Sequence, residues 1–396
     1  MQNIYELKLK GKRILIRVDY NVPINEGIVL DDYRVRSSLP TIHHCLNEGA
    51  SVVLMSHLGR PKGNIIPEMS LNPVSFCLEE LLEHEVMFSD NCISKDAIGL
   101  SQQMQPGEIH LLENLRFYKG EIRNDSEFST CLAKHGEIYI NDAFGTSHRL
   151  HASNVGVPNL MNEKGIGFLM EKELKMLYNT TIKPIAPCAL LLGGAKVADK
   201  IDLINYMMDK VDIILIGGAM AFTFLKAQGI NVGASFVDNK NLQIANNILS
   251  ISKKNNINLV LPMDFVVAKD MTGDTTWRIA NILDIKKDEA GYDIGPETTM
   301  NFERLITNMQ TILWNGPMGV CEIPAFSTGT QAIASAVRNR TEEGAISIIG
   351  GGDTASAVKN IGMGDGFTHI STGGGASLQL MSGKQLPALE VLQDYA

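Results

Sequence analysis

Several features are scarce in this chain, and each scarcity closes off a class of protein. No apolar run approaches the roughly twenty residues that a membrane-spanning helix needs. No two cysteines have the C-x-x-C spacing of a zinc or dithiol site, and the six present, at 45, 77, 92, 131, 188 and 321, are scattered. Scattered thiols read as reduced residues of a cytoplasmic protein rather than a disulfide framework. Neither G-x-x-x-x-G-K-[ST] nor a protein-kinase glycine loop occurs, and there is no G-x-S-x-G elbow. The opening residues, MQNIYELKLKGKR, lack the basic-then-apolar form of a secretory signal. Positive charge is in deficit: 35 Lys and Arg against 44 Asp and Glu leave a net charge of −9, which argues against nucleic acid as the main partner.

What is present is repetition without a fixed period. A short apolar run, then glycines, then a helix-like segment recurs as ALLLGGAKVADKI (189–201), IILIGGAMAFTFL (213–225), ILWNGPMGV (312–320), ISIIGGGDTASA (346–357) and HISTGGGASLQL (369–380). Such runs are how buried parallel strands look. Glycines at their ends admit a ligand to the backbone, and a following helix N-terminus adds partial positive charge. The first half ends its strands in side chains instead: ILIRVDYNVP (14–23), VVLMSHLGRP (52–61), IHLLENLRF (109–117) and IYINDAFGTSHR (138–149). Ligands of open α/β sheets sit beyond the carboxyl ends of the strands. One half therefore offers amides to an anion and the other offers Arg, His, Asp and Asn, an arrangement suited to transfer between two bound molecules.

A length of 396 residues allows two domains with separate cores. Helices are expected over 32–49, 72–85 (Asn72 as cap, Pro73 in the first turn) and 125–136 (Asp125 as cap), alternating with strands to give parallel sheets. Residues 165–182 read as one amphipathic helix, and the domain connection is placed there. The stretch 264–298 reads as loops and short strands. The end, from residue 387, reads as a short amphipathic helix with no partner visible in the sequence.

Lys196 and Lys200 are four apart, which on a helix sets both ammonium groups on one face. A phosphate beyond the preceding glycines and a plain solvated helix fit that spacing equally well. In GGGDT, Asp353 suits Mg²⁺ held between it and a phosphate, or serves simply as a helix cap followed by Thr354. The triplet Gly373–Gly375 is an amide cradle or a tight turn. Asp19, Asn21 and His57 follow strands. Arg34, Arg60, Arg116 and Arg149 come from four separate segments. Each alone fits a surface ion pair; together they favour a carboxylate or phosphate site, since guanidinium groups bind such anions bidentately.

RVDYNVP (17–23), SHLGRPKG (56–63), ENLRFYKGE (113–121), NDAFGTSHRLHAS (141–153), LLGGAKVADKI (191–201), GGAMAFTFL (217–225), WNGPMGV (314–320), GGGDT (350–354) and STGGGASL (371–378) together resemble the phosphoglycerate kinases, essentially end to end. The resemblance implies an α/β fold of two doubly wound, Rossmann-like parallel-sheet domains facing across a hinge-closing cleft. Residues 1–164 with 385–396 would bind 3-phosphoglycerate or 1,3-bisphosphoglycerate, 165–182 would connect, and 183–384 would bind ADP or ATP with Mg²⁺. It implies a cytoplasmic monomer acting on small molecules, with no membrane or nucleic-acid partner.

By motif, Asp19, Asn21, Arg34, His57, Arg60, Arg116 and Arg149 resemble the substrate site. Gly194, Lys196, Lys200, Gly217, Gly218, Gly295, Asn315, Pro317, Glu322, Gly351, Gly352, Asp353 and Thr354 resemble the nucleotide site, with Asp353 near Mg²⁺. Arg34, Lys196, Gly351 and Gly374 would act on the moving phosphoryl group. The chain departs from the family at Tyr20, where Phe is usual, and at Glu297 and Ser327–Thr328, where Lys is common. The competing readings are an NAD-dependent oxidoreductase, for which the G-x-G-x-x-G fingerprint is incomplete and the arginines have no role, and a non-catalytic nucleotide-binding module.

Overall fold

The computed structural model describes residues 1–272 and 275–393. The chain divides into two compact units, one formed by Met1–Lys175 with the segment from Gln385, the other by Met176–Lys384. No helix among the described residues is long and apolar enough to cross a membrane.

The first unit contains strands β1 (Gln2–Asn3), β2 (Arg13–Arg17), β3 (Ser51–Met55), β4 (Val86–Ser89), β5 (Ile109–Leu112), β6 (Ile138–Asn141) and β7 (Glu163–Ile166). They pair in parallel in the order β1-β7-β6-β2-β3-β5-β4. Helices α1 (Tyr33–Asn47), α2 (Asn72–Leu82), α3 (Lys95–Gln103) and α4 (Ser126–Ala133) connect strands of the sheet. Ile14, Ile16, Val52, Leu54, Ile109 and Leu111 pack with Val35 and Ile42 of α1 and Val74 and Leu78 of α2. The intervening Leu15, Val53, Leu112 and Tyr139 are buried too, so both sheet faces are covered. That is why these strands read as unbroken apolar runs.

Helix α5 (Phe168–Ile182) is shorter than the 165–182 reading, because Gly165 and Ile166 belong to β7 and pair with Gln2 and Asn3. Its start is fixed by side chains distant in sequence. The Thr41 hydroxyl accepts the Phe168 N–H at 3.0 Å, and the buried Asp142 carboxylate accepts the Met170 N–H at 3.0 Å.

The second unit has a six-stranded parallel sheet and a small antiparallel one. Its strands are β8 (Cys188–Leu192), β9 (Ile213–Ile216), β10 (Asn258–Val260), β11 (Asp264–Ala268), β12 (Trp277–Asn281), β13 (Ala290–Ile294), β14 (Thr311–Asn315), β15 (Ile346–Gly350) and β16 (His369–Ile370). The parallel order is β10-β9-β8-β14-β15-β16; β12-β11-β13 form the antiparallel sheet from the stretch read as loops and short strands. Helices α6 (Ile201–Met207), α7 (Met220–Ala227), α8 (Leu242–Lys254), α9 (Pro296–Ile306), α10 (Thr328–Glu342), α11 (Gly352–Asn360) and α12 (Gly375–Met381) complete it.

The C-terminal segment has a partner after all. A single turn, α13 (Pro387–Glu390), packs against residues 152–156, and the Ala388 N–H donates to the Ser147 carbonyl at 3.1 Å. The expected helix over 387–396 is thus one turn long within the described residues; 394–396 lie outside them.

Each parallel sheet reverses strand order once. In the first unit the chain leaves β2 for β3 on one side and later returns to β6 on the other. In the second, β9 and β14 flank β8. The loops after β2 and β6, and those after β8 and β14, therefore border crevices at the carboxyl ends, where ligands of doubly wound sheets bind.

Candidate active site

In the first unit the loop after β2 carries Asp19 and Asn21. Asp19 is 9% exposed, and its Oδ2 receives Arg34 Nη1 from the first turn of α1 at 3.1 Å. The same Nη1 reaches the Asn21 carbonyl at 3.3 Å. Asn21 Oδ1 accepts the Gly59 N–H at 2.8 Å, tying this loop to the one after β3. There the Gly59 carbonyl accepts Arg116 Nη1 at 2.8 Å. His57 is buried beside Arg17, and its Nδ1 lies 3.8 Å from Asp19 Oδ1.

Asp19, Asn21, Arg34, His57 and Arg116 are thus joined by short contacts. Arg149 belongs to the same electrostatic field: it and Arg17 oppose the charge on Arg116. Arg60 is exposed on the β3 loop beside Gly59 and has no hydrogen bond or ion pair among the described residues.

Guanidinium groups outnumber carboxylates here, and the cost is visible in the titrating groups. Burial, then the neighbouring Arg17, pushes Arg116 down to about 10. His148 and His151 are both pushed down to about 4, by burial first and then by adjacent arginines. Burial and the Arg17, Arg116 and Arg34 charges hold His57 well below the ordinary imidazole value. Crowded cations stripped of water favour an anion. The sequence reading assigned no individual role to Arg17, Glu121, Ser153, His148 or His151, although all lie in the quoted motifs. A buried charge reads like a surface one when only its neighbours in sequence are known.

The second unit divides its glycines into two kinds. The Gly193 N–H donates to the Asn315 carbonyl at 3.0 Å, Gly194 to Pro317 at 2.9 Å and Gly218 to Met318 at 2.9 Å; Gly217 bonds the Leu192 carbonyl. A Cβ on Gly193 would overlap the Pro317 carbonyl, and one on Gly218 would meet the Gly194 nitrogen at 2.5 Å. These residues are glycine because two loops touch backbone to backbone, and their amides are spent on that contact rather than offered to an anion. Gly295 is likewise buried, packed against the Asp264 carboxylate that caps α9.

The glycines opening α11 and α12 differ. Gly351 (φ 89°) and Gly374 (φ 48°) sit at the caps in left-handed backbone that favours glycine. A Cβ on Gly352 or Gly374 would meet nothing within 4 Å. The first amides of a helix lack intrahelical acceptors and carry partial positive charge, which suits an anion over the open side of Gly352 and Gly374.

Beside them stands Asn315, whose Nδ2 lies 3.1 Å from the position of a Gly351 Cβ; Lys200 Nζ lies 3.7 Å from that of Gly194 and within the field of Asp353. Lys196 and Lys200 are not on one helical face. Lys196 is exposed in the loop before a 3₁₀ turn over Ala198–Lys200, while Lys200 is buried and burial lowers its pKa against the pull of Asp199 and Asp353. Thr354 is fully buried, and its hydroxyl accepts the Gly316 N–H at 2.7 Å, so it braces the β14 loop. Glu322 and Asp353 are exposed. Burial and Glu322 push the thiol of Cys321 up to about 11.

Among the described residues no three His, Cys, Asp or Glu side chains are grouped to hold a metal. A lone exposed carboxylate, Asp353, in the first turn of a glycine-capped helix fits Mg²⁺ carried mainly by nucleotide phosphates, a set of hard oxygen ligands.

The departures from the common pattern are accommodated. The Tyr20 hydroxyl is fully buried and shares a 2.8 Å hydrogen bond with Ser38 Oγ. The Glu297 N–H is bound by Asp264, and Ser327 Oγ donates to the Pro324 carbonyl at 3.0 Å.

Two doubly wound units, one with an arginine-rich crevice and one with glycine-capped helices and lysines, define the class of α/β phosphotransferases. The chain belongs to the phosphoglycerate kinase family, whose activity is phosphoryl transfer in glycolysis: the family model described as "Phosphoglycerate kinase" matches residues 4–384. Proteins named phosphoglycerate kinase from Chlorobium phaeobacteroides (strain BS1) and Prosthecochloris aestuarii (strain DSM 271 / SK 413) are 47% and 48% identical, each alignment covering 99% of both chains. The solved structure of phosphoglycerate kinase from Coxiella burnetii matches with a TM-score of 0.88 at 38% identity, over 99% of this chain and 98% of that one.

Proposed function

We propose that this chain moves a phosphoryl group reversibly between 1,3-bisphosphoglycerate with ADP and 3-phosphoglycerate with ATP, with the first unit holding the glycerate ligand and the second the nucleotide. The observation that carries this is the separation of two anion-seeking sites of different make. Asp19, Asn21, Arg34, His57 and Arg116 form one joined cluster, in which arginines outnumber carboxylates among the described residues. Gly351 and Gly374 cap two helices, Gly352 and Gly374 border open space, and Asn315 and Asp353 stand at the same helix start, with Lys200 within the field of Asp353.

The roles follow from the chemistry. Asp19 and Asn21 suit a glycerate hydroxyl, while Arg60, Arg116 and Arg149 suit its carboxyl and phosphate oxygens. The acceptor carboxylate is already ionised, so little acid–base work is needed. Positioning and charge stabilisation supply the rate. Arg34 and Lys196 neutralise the moving phosphoryl group, and the amides at Gly351 and Gly374 bind its oxygens. Mg²⁺, when bound, neutralises the nucleotide phosphates beside Asp353. Glu322 suits the ribose hydroxyls. The reading requires the two bound ligands to meet during turnover with water kept out.

The test is a coupled assay with Mg-ATP and 3-phosphoglycerate, with each omitted in turn. Turnover that needs both supports the reading. Nucleotide binding without turnover would make the chain a binding module.

A further inference from the structure

Arg17, the last residue of β2, is completely buried and has no carboxylate in direct contact among the described residues. Its Nε donates to Ser153 Oγ at 2.8 Å, and its Nη1 donates to the Val18 carbonyl. The compensating charge sits one hydroxyl away. Ser153 Oγ donates to Glu121 Oε1 at 2.7 Å, the Ser153 N–H donates to Glu121 Oε2 at 3.0 Å, and Glu121 is itself fully buried. With two of its nitrogens committed this way, the guanidinium cannot swing out to a ligand. Its third, Nη2, lies 3.1 Å from His57 Nδ1.

A guanidinium has donors and no acceptor. Nδ1 must therefore be the bare nitrogen of His57, and the ring's single proton must lie on Nε2. Asp19 Oδ1, 3.8 Å from Nδ1, is too far to claim a proton there. The other charged and titrating groups facing the ring are Arg34 from α1, Arg116 from the 3₁₀ turn over Leu115–Phe117, and His151. All three, with Arg17, oppose a second proton.

We propose that Arg17 is a positioning residue for anion binding: held by the Ser153–Glu121 pair, it locks His57 as a neutral imidazole whose Nε2–H is the donor offered to the ligand. The gain is a site whose donor pattern stays constant over the range in which histidine ordinarily titrates, about pH 5 to 8. This rests on the reading of the first unit as the 3-phosphoglycerate site. The tautomer itself does not, because it is a property of the unliganded protein.

The decisive measurement is ¹⁵N NMR of the histidine rings in the full, unliganded chain. His57 should show the Nε2–H tautomer throughout, with no titration near pH 6.5. A ring protonated on Nδ1, or one that titrates normally, overturns the proposal without any variant being made.

The companion variant is Arg17→Met, assayed with each substrate varied. The KM for 3-phosphoglycerate should rise about tenfold, the size of a lost charge-assisted contact, with a smaller change in kcat and in the KM for nucleotide. That KM should also become pH-dependent between about pH 5 and 8, and the dependence should vanish when His57→Gln is added. A flat pH profile in the single variant, with nothing but a lower melting temperature, would reduce Arg17 to a structural residue and overturn the proposal. If the unaltered chain does not bind 3-phosphoglycerate, the functional reading falls while the tautomer result stands.

Discussion

Lys196 and Lys200 are separated by one helical turn in sequence but occupy different surroundings, one solvated and one buried beside Gly194. A solvated ammonium loses little on meeting a phosphoryl group in flight, whereas a buried one is held in the ground state. Lys196→Ala should lower kcat by about 10³–10⁵, by analogy with arginine fingers, and leave ADP affinity nearly unchanged. Lys200→Ala should weaken ADP binding more than it slows turnover. Steady-state kinetics with calorimetric ADP titration checks both; loss of ADP affinity in the Lys196 variant with kcat kept would make Lys196 a binding residue. Arg60 and Arg149 are exposed arginines of the first unit. Replacing either with Ala should raise the KM for 3-phosphoglycerate by the equivalent of about 1.5–3 kcal/mol and spare the nucleotide KM. Equal losses for both substrates would mean that they hold the fold instead. Tyr20 offers a control outside this chemistry. Among the described residues its hydroxyl bonds only Ser38, so Tyr20→Phe should cost about 0.5–1.5 kcal/mol of stability while leaving kcat intact, as a urea melt and an assay would show.

Elements carry their own pH dependence. Behind the first sheet, α3, β5 and the end of α4 meet around a buried chain of neutral groups. His135 Nε2–H donates to the Cys92 carbonyl at 2.9 Å, so its Nδ1 takes the Ser101 hydroxyl proton at 2.6 Å. Ser101 Oγ then accepts His110 Nδ1–H at 2.9 Å, and His110 Nε2 accepts from Ser89 Oγ at 2.8 Å. Burial pushes both rings down to about 4. The unfolded chain binds protons near 6.5 and the folded one does not, so each ring's contribution is complete above that value. It is lost as pH falls from about 6.5 to 4, by up to about 1.4 kcal/mol per pH unit per ring. Asp142 and Asp293, raised by burial to about 7, act in the opposite sense over much of that window. The histidine share is isolated by His110→Gln, which should shift the slope of the urea midpoint against pH downward between pH 5 and 7, whatever the aspartates contribute; an unchanged slope would mean that the ring titrates normally. Such networks were not legible in the sequence, because Ser101, His110 and His135 lie on three elements. What was legible was local: apolar runs gave the strands, and Asp125 does cap α4, accepting the Phe128 N–H at 2.9 Å. The glycines were half legible. A glycine required by the Gly193–Pro317 backbone contact and one open to a phosphate, as at Gly352, look alike as letters. The helix expected from 165 begins three residues later because Thr41 and Asp142, far away in sequence, set its start.

The whole chain is threaded so that one unit is continuous and the other is not. Residues 176–384 form the second unit without interruption, whereas the first needs the segment from Gln385 to return to it. That return is apolar: Leu386, Ala388, Leu389 and Leu392 are all buried, and Ala388 bonds the Ser147 carbonyl in the loop leading to Arg149. Burying one leucine contributes about 1.5–3 kcal/mol, and such sums are upper estimates because unfolded chains already bury some surface. Three leucines are thus worth on the order of 5 kcal/mol, comparable to the whole stability of many domains. Ending the chain at Lys384 should therefore split the thermal unfolding into two transitions. The first unit should melt early and lose 3-phosphoglycerate binding, while the second keeps its melting temperature and its Mg-ADP affinity. Calorimetry with and without each ligand reads both transitions. A shortened chain that loses Mg-ADP binding first would reverse the assignment of ligands to units. One that loses nothing would mean that the buried leucines of the tail contribute far less than their burial implies.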